Sequence, residues 1–229
     1  MSQNLRVSAI VLRRTNYGEA DRILTVLTRE NGILSIIARG ARKEKSRLAS
    51  GIELFAICDF SLVKSAQNTG EIWTLTGAKM NKFFAQIMTD YDKLQFGYDA
   101  IKQVTKVSEQ INAPEFYELL ASTFAALDNT KVELKITKAW FYLQIARLLG
   151  NELNIMTDDH GMRLVEDAHY DFDTHEQIFA FNEAGKYDAR MIKFLRILIS
   201  NPPAVVAKFT DVDDLLDDCL WIAQAVAKV

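Results

Sequence analysis

Short apolar runs of strand length fill the first eighty residues of the chain. They cover residues 7 to 12, 23 to 28 and 33 to 38, and the first two are rich in β-branched side chains, as strands are. Asn31 and Gly32 separate the second run from the third, and both residues tolerate the positive φ angles of a two-residue hairpin turn. The pattern predicts a hairpin between residues 23 and 38.

Two more apolar runs, at residues 54 to 63 and 72 to 76, complete the pattern of this region. Residues 67 to 70 between them have the composition of a turn. Five strands within eighty residues fit a small closed sheet, because closure removes the edges that so small a β domain would otherwise expose. We therefore expect an OB-type β-barrel in residues 1 to 80.

From about residue 80 the apolar spacing changes to the three-and-four period of helices. The period is lost between residues 151 and 186, where Asp, Asn, His and Gly collect, so we expect an irregular insertion there. The predicted fold class is α+β: a five-stranded OB-type barrel in residues 1 to 80, followed by an all-helical domain in residues 81 to 229. Helices are predicted at about residues 84 to 101, 115 to 128, 132 to 149, 189 to 199 and 211 to 226.

Composition agrees with a folded protein that has a sizeable core. Of its 229 residues, 49% are hydrophobic and 25% are charged, which suits one large or two small globular domains. There is no apolar run of signal-peptide length at the start, and no stretch approaches the roughly 20 apolar residues that a bilayer requires. We expect a cytoplasmic protein.

The net charge of −3 hides an uneven distribution along the chain. Residues 1 to 80 hold 12 Lys and Arg against 7 Asp and Glu, a net charge of +5. Residues 81 to 229 hold 15 against 23, a net charge of −8. This asymmetry predicts one part that faces a polyanion and an acidic part with a different role.

A basic loop, residues 39 to 47, holds five Lys and Arg against one Glu, directly after a predicted strand. Such a loop can follow a phosphate backbone, and a serine in it can donate a hydrogen bond to a phosphate oxygen. A solvated charged loop is the alternative interpretation. Arg13 and Arg14 leave the first strand and Arg22 begins the second, so further cations are expected on the same rim. The predicted contacts within the loop are Arg39, Arg42, Lys43, Lys45, Ser46 and Arg47.

Trp73 and Phe60 are the main strand-borne aromatic candidates for stacking against bases. Either side chain can equally belong to the barrel core, because an aromatic ring buries a large area. The stacking signal is therefore weak.

A second set of cations lies on and before the helix predicted from residue 132 to residue 149: Lys131, Lys135, Lys138 and Arg147. They alternate with large apolar residues such as Trp140 and Leu143. An apolar groove edged with cations suits an acidic peptide with a hydrophobic end. An ordinary amphipathic helix packed on the core is the alternative.

Metal and catalytic signatures are weak. The three histidines and several aspartates of residues 158 to 175 are possible metal ligands, but their spacing favours an acidic surface loop. Cys58 and Cys219 have no CxxC partners, so we expect buried free thiols. The chain lacks the phosphate-loop, nucleophile-elbow and dinucleotide fingerprints, and we predict neither an enzyme nor a cofactor.

Four parts of the chain together resemble the N-terminal signature of the RecO family of recombination mediators: residues 17 to 28, Gly32, residues 38 to 43 and residues 45 to 48. The match is dense over residues 5 to 60 and looser at residues 75 to 78, 90 to 94 and 147 to 150. The resemblance implies an N-terminal OB domain followed by a helical domain, in agreement with the change of period near residue 80.

The same resemblance implies a function. RecO proteins bind single- and double-stranded DNA, anneal complementary strands, contact the acidic C-terminal tail of single-strand-binding protein, and act with RecR in loading RecA. By position, the basic loop becomes the DNA-binding loop, and Lys138 with its neighbours becomes the tail-binding groove. Many members carry a four-cysteine zinc module, but this chain has no cysteine between residues 59 and 218, so we expect no zinc site.

Two other classes of function stay open. One is an OB-plus-helices adaptor that binds proteins and has little affinity for DNA, with the basic loop merely solvated. The other is a hydrolase or nuclease, which would need Asp158, Asp159 and Asp173 to bind a divalent metal. Binding of single-stranded DNA, or metal-dependent cleavage of it, distinguishes them.

Overall fold

The computed structural model describes residues 3–64, 71–108, 110–111 and 113–228. The chain forms two compact units, one ending at Asp128 and the other beginning at Asn129. The turn predicted at residues 67 to 70 lies outside the described residues.

The first unit begins with a closed β-barrel, as predicted. Its strands pair in the order β1-β2-β3-β5-β4, with β4 closing onto β1. Every pairing is antiparallel except that of β3 with β5. The α+β fold class with an N-terminal OB-type sheet is therefore confirmed. The strands are β1 Gln3–Tyr17, β2 Asp21–Thr28, β3 Gly32–Ala38, β4 Ala56–Lys64 and β5 Trp73–Phe83.

The predicted hairpin is formed by β2 and β3, which pair from Thr28 with Gly32 to Arg22 with Ala38. The connection is three residues long, not two, because β2 already ends at Thr28. The Thr28 hydroxyl donates to the Gly32 carbonyl at 2.8 Å and accepts the Asn31 N–H at 3.0 Å. These two bonds hold the longer turn closed.

Alternation along the strands sends one set of side chains into the barrel core, among them Val11, Leu24 and Phe60. The opposite, outer face is buried only in part. Ile10 and Leu27 lie on it and are fully buried, and next to them the Ser8 hydroxyl lies 2.9 Å from the hydroxyl of Tyr117.

Two helices, α1 Tyr91–Ser108 and α2 Glu115–Asp128, complete the first unit. Phe55, which lies between the basic loop and β4 in the chain, is buried against both helices. Its ring meets Tyr98 of α1 at 5.1 Å and Phe124 of α2 at 5.3 Å between centroids. Strand gives way to helix near residue 80, as expected, but the compact unit extends to Asp128 because these helices pack on the barrel. The domain limits 1 to 80 and 81 to 229 stay predictions.

The second unit is mainly helical, with α3 as its most buried helix. Helix α3 packs against α6, α4 and α5. The Asp188 carboxylate caps α4 by accepting the Met191 N–H at 3.2 Å, and Pro203 opens α5. The helices are α3 Leu134–Leu148, α4 Ala189–Ser200, α5 Pro203–Val206 and α6 Leu216–Val226.

The segment from residue 151 to residue 186 is more ordered than its composition predicts. Its strands β6 Tyr170–Asp173 and β7 Ile178–Phe181 form an antiparallel hairpin. Tyr170, Phe172 and Phe179 are buried, whereas Asp171 and Asp173 between them are exposed. This alternation of buried and exposed residues covers only four positions in each strand, and its acidic residues made the segment look irregular in the sequence. The second unit therefore contains a short sheet and is not helical throughout.

Candidate nucleic-acid interface

The basic loop leaves the end of β3 as a series of tight turns. Gly40 adopts φ 65°, a left-handed conformation that favours glycine. The Lys43 N–H donates to the Gly40 carbonyl at 3.1 Å, and the Ser46 N–H donates to the Lys43 carbonyl at 3.0 Å. Ala41 is buried in the barrel core. The loop is thus folded and anchored.

A second anchor joins the basic loop to the first turn, residues 18 to 20, which connects β1 to β2. The Gly40 N–H donates to Asp21 Oδ1 at 2.7 Å, and the Arg42 N–H donates to the Ala20 carbonyl at 2.8 Å. The Arg42 guanidinium donates to the Gly18 carbonyl at 3.1 Å. The two densest parts of the predicted family signature are therefore in direct contact.

All five cations of the basic loop are exposed: Arg39, Arg42, Lys43, Lys45 and Arg47. Within the described chain, none of them forms an ion pair with a carboxylate. The Ser46 oxygen accepts the Leu48 N–H at 3.3 Å, which leaves its own hydroxyl proton for another acceptor. The loop offers unneutralised charge and donors on a fixed backbone, a combination that suits phosphate groups.

The three strand cations predicted on the rim are Arg13, Arg14 and Arg22, and the structure separates them by face. A β-bulge shifts the β1–β2 register between Val11 and Arg13, so Arg13 pairs with Thr25 on the outer face and is exposed. Arg14 instead lies opposite the core residue Leu24.

The other two of these arginines, Arg14 and Arg22, are partly buried. Arg14 forms an ion pair with Glu53 at 2.7 Å and donates to the Ile52 carbonyl at 3.5 Å. Arg22 has a buried Nε without a hydrogen-bond partner among the described residues. Only Arg13 of the three therefore adds an exposed cation to the outer face.

The two aromatic candidates for stacking are held by the barrel core. Phe60 is 1% exposed, and Trp73 is half-buried against the same cluster, with the Lys64 ammonium 5.7 Å from its ring centroid. Tyr17, which the sequence reasoning missed, is 54% exposed at the end of β1. Its position four residues after Arg13 in one strand was the available signal.

The second predicted cation set is spread around α3. Lys131 and Arg147 are exposed, whereas Lys135 forms an ion pair with Asp217 at 2.6 Å. Arg147 follows Lys138 by nine residues, which is half a turn out of phase at about 100° per residue. The apolar residues of the predicted groove, such as Phe141 and Leu143, are buried. The tail-binding groove stays a prediction.

The acidic segment and the thiols show no sign of metal chemistry. In the described part of the chain, no cluster of three or more His, Cys, Asp or Glu could hold a metal ion. Asp158 is buried and accepts the N–H groups of His160 and Met162 at 3.0 Å and 2.8 Å, so it shapes a turn. Burial raises the pKa of Cys58 to about 11 and that of Cys219 to about 12, which keeps both thiols protonated at neutral pH. Across the described residues no helix has the length and apolarity to span a bilayer.

The closed order of strands, with a loop of exposed cations at one end, defines the barrel of the first unit as an OB-type domain whose exposed charge suits a polyanion. Residues 1–84 match the family described as "Recombination protein O N terminal". The predicted resemblance to RecO is therefore confirmed over this stretch of the chain.

Curated relatives extend the similarity beyond the barrel, and each is named "DNA repair protein RecO". The protein of Dehalococcoides mccartyi (strain ATCC BAA-2266 / KCTC 15142 / 195) is 30% identical over 148 residues, which is 64% of this chain and 56% of the relative. That of Alkaliphilus metalliredigens is 26% identical over 147 residues, 64% and 58% of the two chains. That of Chlorobium phaeobacteroides is 28% identical over 185 residues, 79% and 69%. The chain thus spans little more than half the length of the first two relatives.

Proposed function

We propose that this protein is a DNA repair and recombination mediator that binds single- and double-stranded DNA through the basic loop. The observation that carries the proposal is the set of five exposed cations on a loop fixed by Asp21 and the first turn, none of them in an ion pair with a described carboxylate. The names of the relatives support the repair and recombination part. Since such a mediator makes and breaks no bonds, the proposal requires neither catalytic residues nor a cofactor.

Annealing follows from the same loop. Two complementary strands repel each other through their phosphates, and cations that neutralise one backbone lower this repulsion while the bases stay free to pair. The proposal extends, through the family resemblance, to RecR as a partner and to the loading of RecA.

The acidic tail of single-strand-binding protein is the proposed ligand of the second unit. Lys131, Lys135, Lys138 and Arg147 are its proposed contacts. The second unit holds 11 Lys and Arg against 16 Asp and Glu, a net charge of −5, so DNA is the less suitable ligand for it.

Fluorescence anisotropy of labelled single-stranded DNA over a salt series tests the DNA-binding proposal. Neutralising four or five phosphates predicts a double-logarithmic salt slope near about −3, at roughly 0.7 per phosphate. A variant with Ala at Arg39, Arg42, Lys43, Lys45 and Arg47 should lose most of the affinity and most of the slope.

The matched control replaces five exposed cations elsewhere with Ala: Lys102, Lys106, Arg163, Lys208 and Lys228. It changes the net charge equally, so an equal loss of affinity would assign binding to overall charge and contradict the loop site. No binding by the unmodified protein even at low salt would favour the protein-binding adaptor. DNA cleavage that depends on a divalent metal would favour the nuclease.

A further inference from the structure

The outer face of β1, β2 and β3 is open beside the basic loop. Side chains directly opposite each other in antiparallel strands point to the same side, so the pairing register defines this face. Its members are only partly buried or are exposed, unlike Ile10 and Leu27 further along the same strands. They are Arg13, Thr15 and Tyr17 of β1, Asp21, Ile23 and Thr25 of β2, and Ser35 and Ile37 of β3.

Tyr17 is the large aromatic side chain of this face. It lies four residues after Arg13 on the same strand, about 14 Å away at about 3.4 Å per residue. It directly precedes Gly18, whose carbonyl accepts from the Arg42 guanidinium at 3.1 Å. An exposed ring thus lies between two exposed cations, Arg13 along the strand and Arg42 across the first turn.

The remainder of the face can accommodate a flat ligand. Thr15, Thr25 and Ser35 are small and carry hydroxyls, and Ile23 and Ile37 are half-buried. Two acids lie close to Tyr17: Asp21 is directly opposite it in the pairing of β1 with β2, and Glu19 follows it by two residues. Asp21 already accepts the Gly40 N–H, and Glu19 is exposed in the first turn. Since Glu19 disfavours a phosphate at the turn, the backbone of a bound strand is better placed towards the basic loop, with a base towards Tyr17.

We propose that Tyr17 stacks against an unpaired nucleobase of a strand whose phosphates follow the basic loop and Arg13. This inference rests on the proposed DNA binding and adds to it a site for the base. A phenol ring stacks on the flat face of any base, so the site reads no sequence. It leaves the hydrogen-bonding edge of the base free, as annealing requires, and it excludes duplex DNA, whose bases are already stacked on each other.

The test compares Tyr17→Ala with Tyr17→Phe, which keeps the ring. Stacking of one base corresponds to roughly 5- to 150-fold in Kd, and at this exposed position we expect about tenfold weaker binding of single strands by Tyr17→Ala. The salt slope and the affinity for duplex DNA should not change, since no charge is removed. Tyr17→Phe should bind like the unmodified protein.

An oligonucleotide that lacks bases but keeps its sugar-phosphate backbone provides a measurement independent of any folding defect. The unmodified protein should bind it about tenfold more weakly than the normal strand. Tyr17→Ala should bind both strands equally. If the unmodified protein binds both strands equally, or if Tyr17→Ala matches it on the normal strand, the stacking site is wrong. Loss of binding in the five-Ala loop variant would still support the proposed function in that case.

Discussion

The basic loop and α3 with the residues before it carry similar numbers of Lys and Arg over short stretches. The two regions differ in how the backbone positions these side chains. The basic loop presents five cations from turns that are anchored in the barrel core by Ala41. Of the four cations at α3, Lys131 precedes the helix and the other three are distributed around it, with Lys135 in an ion pair with Asp217. Composition is similar in the two regions, so accessibility and pairing, not charge count, should decide which one holds a polyanion.

The largest expected effect is the difference between removing the cations of the basic loop and removing those at α3. Ala at the five loop cations should weaken single-strand binding by roughly 100-fold or more near 0.1 M salt, because about four or five phosphate contacts are lost. Ala at Lys131, Lys135, Lys138 and Arg147 should change it less than about twofold, although it removes nearly as much charge. Anisotropy titrations measure both variants, and a similar loss in both would end the distinction between the two regions.

A smaller effect should separate two adjacent arginines. Arg13→Ala removes an exposed cation from the outer face, so it should reduce the salt slope by about 0.7 and the affinity about fivefold. Arg14→Ala breaks the ion pair with Glu53, and we expect it to leave the slope unchanged. The comparison is contradicted if the salt series gives the two variants the same slope.

The anchoring of the loop can be tested at Asp21. Asp21→Ala removes the acceptor of the Gly40 N–H and should weaken DNA binding about threefold, although loss of a negative charge alone would strengthen it. Asp21→Asn loses the same charge but keeps an oxygen acceptor, so its affinity should be equal or higher. Urea unfolding should show a loss of about 1 kcal/mol for Asp21→Ala. Stronger binding by both variants would mean that the anchor does not matter.

The smallest effect concerns α3. Asp217→Ala frees Lys135, so an acidic peptide with a hydrophobic end should bind about twofold more tightly. Because the pair is exposed, the free energy of unfolding should change by less than about 1 kcal/mol. Asp218→Ala is the control: it frees Lys186, which is outside the proposed tail site. Calorimetric titration that shows equal tightening by both variants would point to general charge and against the α3 site.

Local sequence patterns were sufficient for the barrel strands, the β2–β3 hairpin and the position of the basic loop, because alternation and turn chemistry act over a few residues. The faces of the cations could not be predicted in this way. Continuing the alternation of Val7, Ala9 and Val11 would place Arg13 inside the barrel. The bulge after Val11 places Arg14 there instead.

Contacts between distant parts of the chain were also beyond local patterns. The parallel pairing of β3 with β5 and the packing of Phe55 against α1 and α2 join segments that are tens of residues apart. For this reason the compact unit continues to Asp128, beyond the last strand. Closure of the barrel likewise decides that the Phe60 ring is buried and that the Tyr17 ring is exposed.

The bulge in β1 also bears on how this surface can evolve. Deleting one residue at the bulge, near Leu12, would restore simple alternation and leave Arg13, Thr15 and Tyr17 on the outer face, because Arg13 would then directly follow the inward-facing Val11. Deleting one residue between Arg13 and Tyr17 would instead turn the aromatic ring away from the outer face. Among homologues, a gap of one residue after Arg13 should therefore mark a change of ligand more reliably than a gap at the bulge.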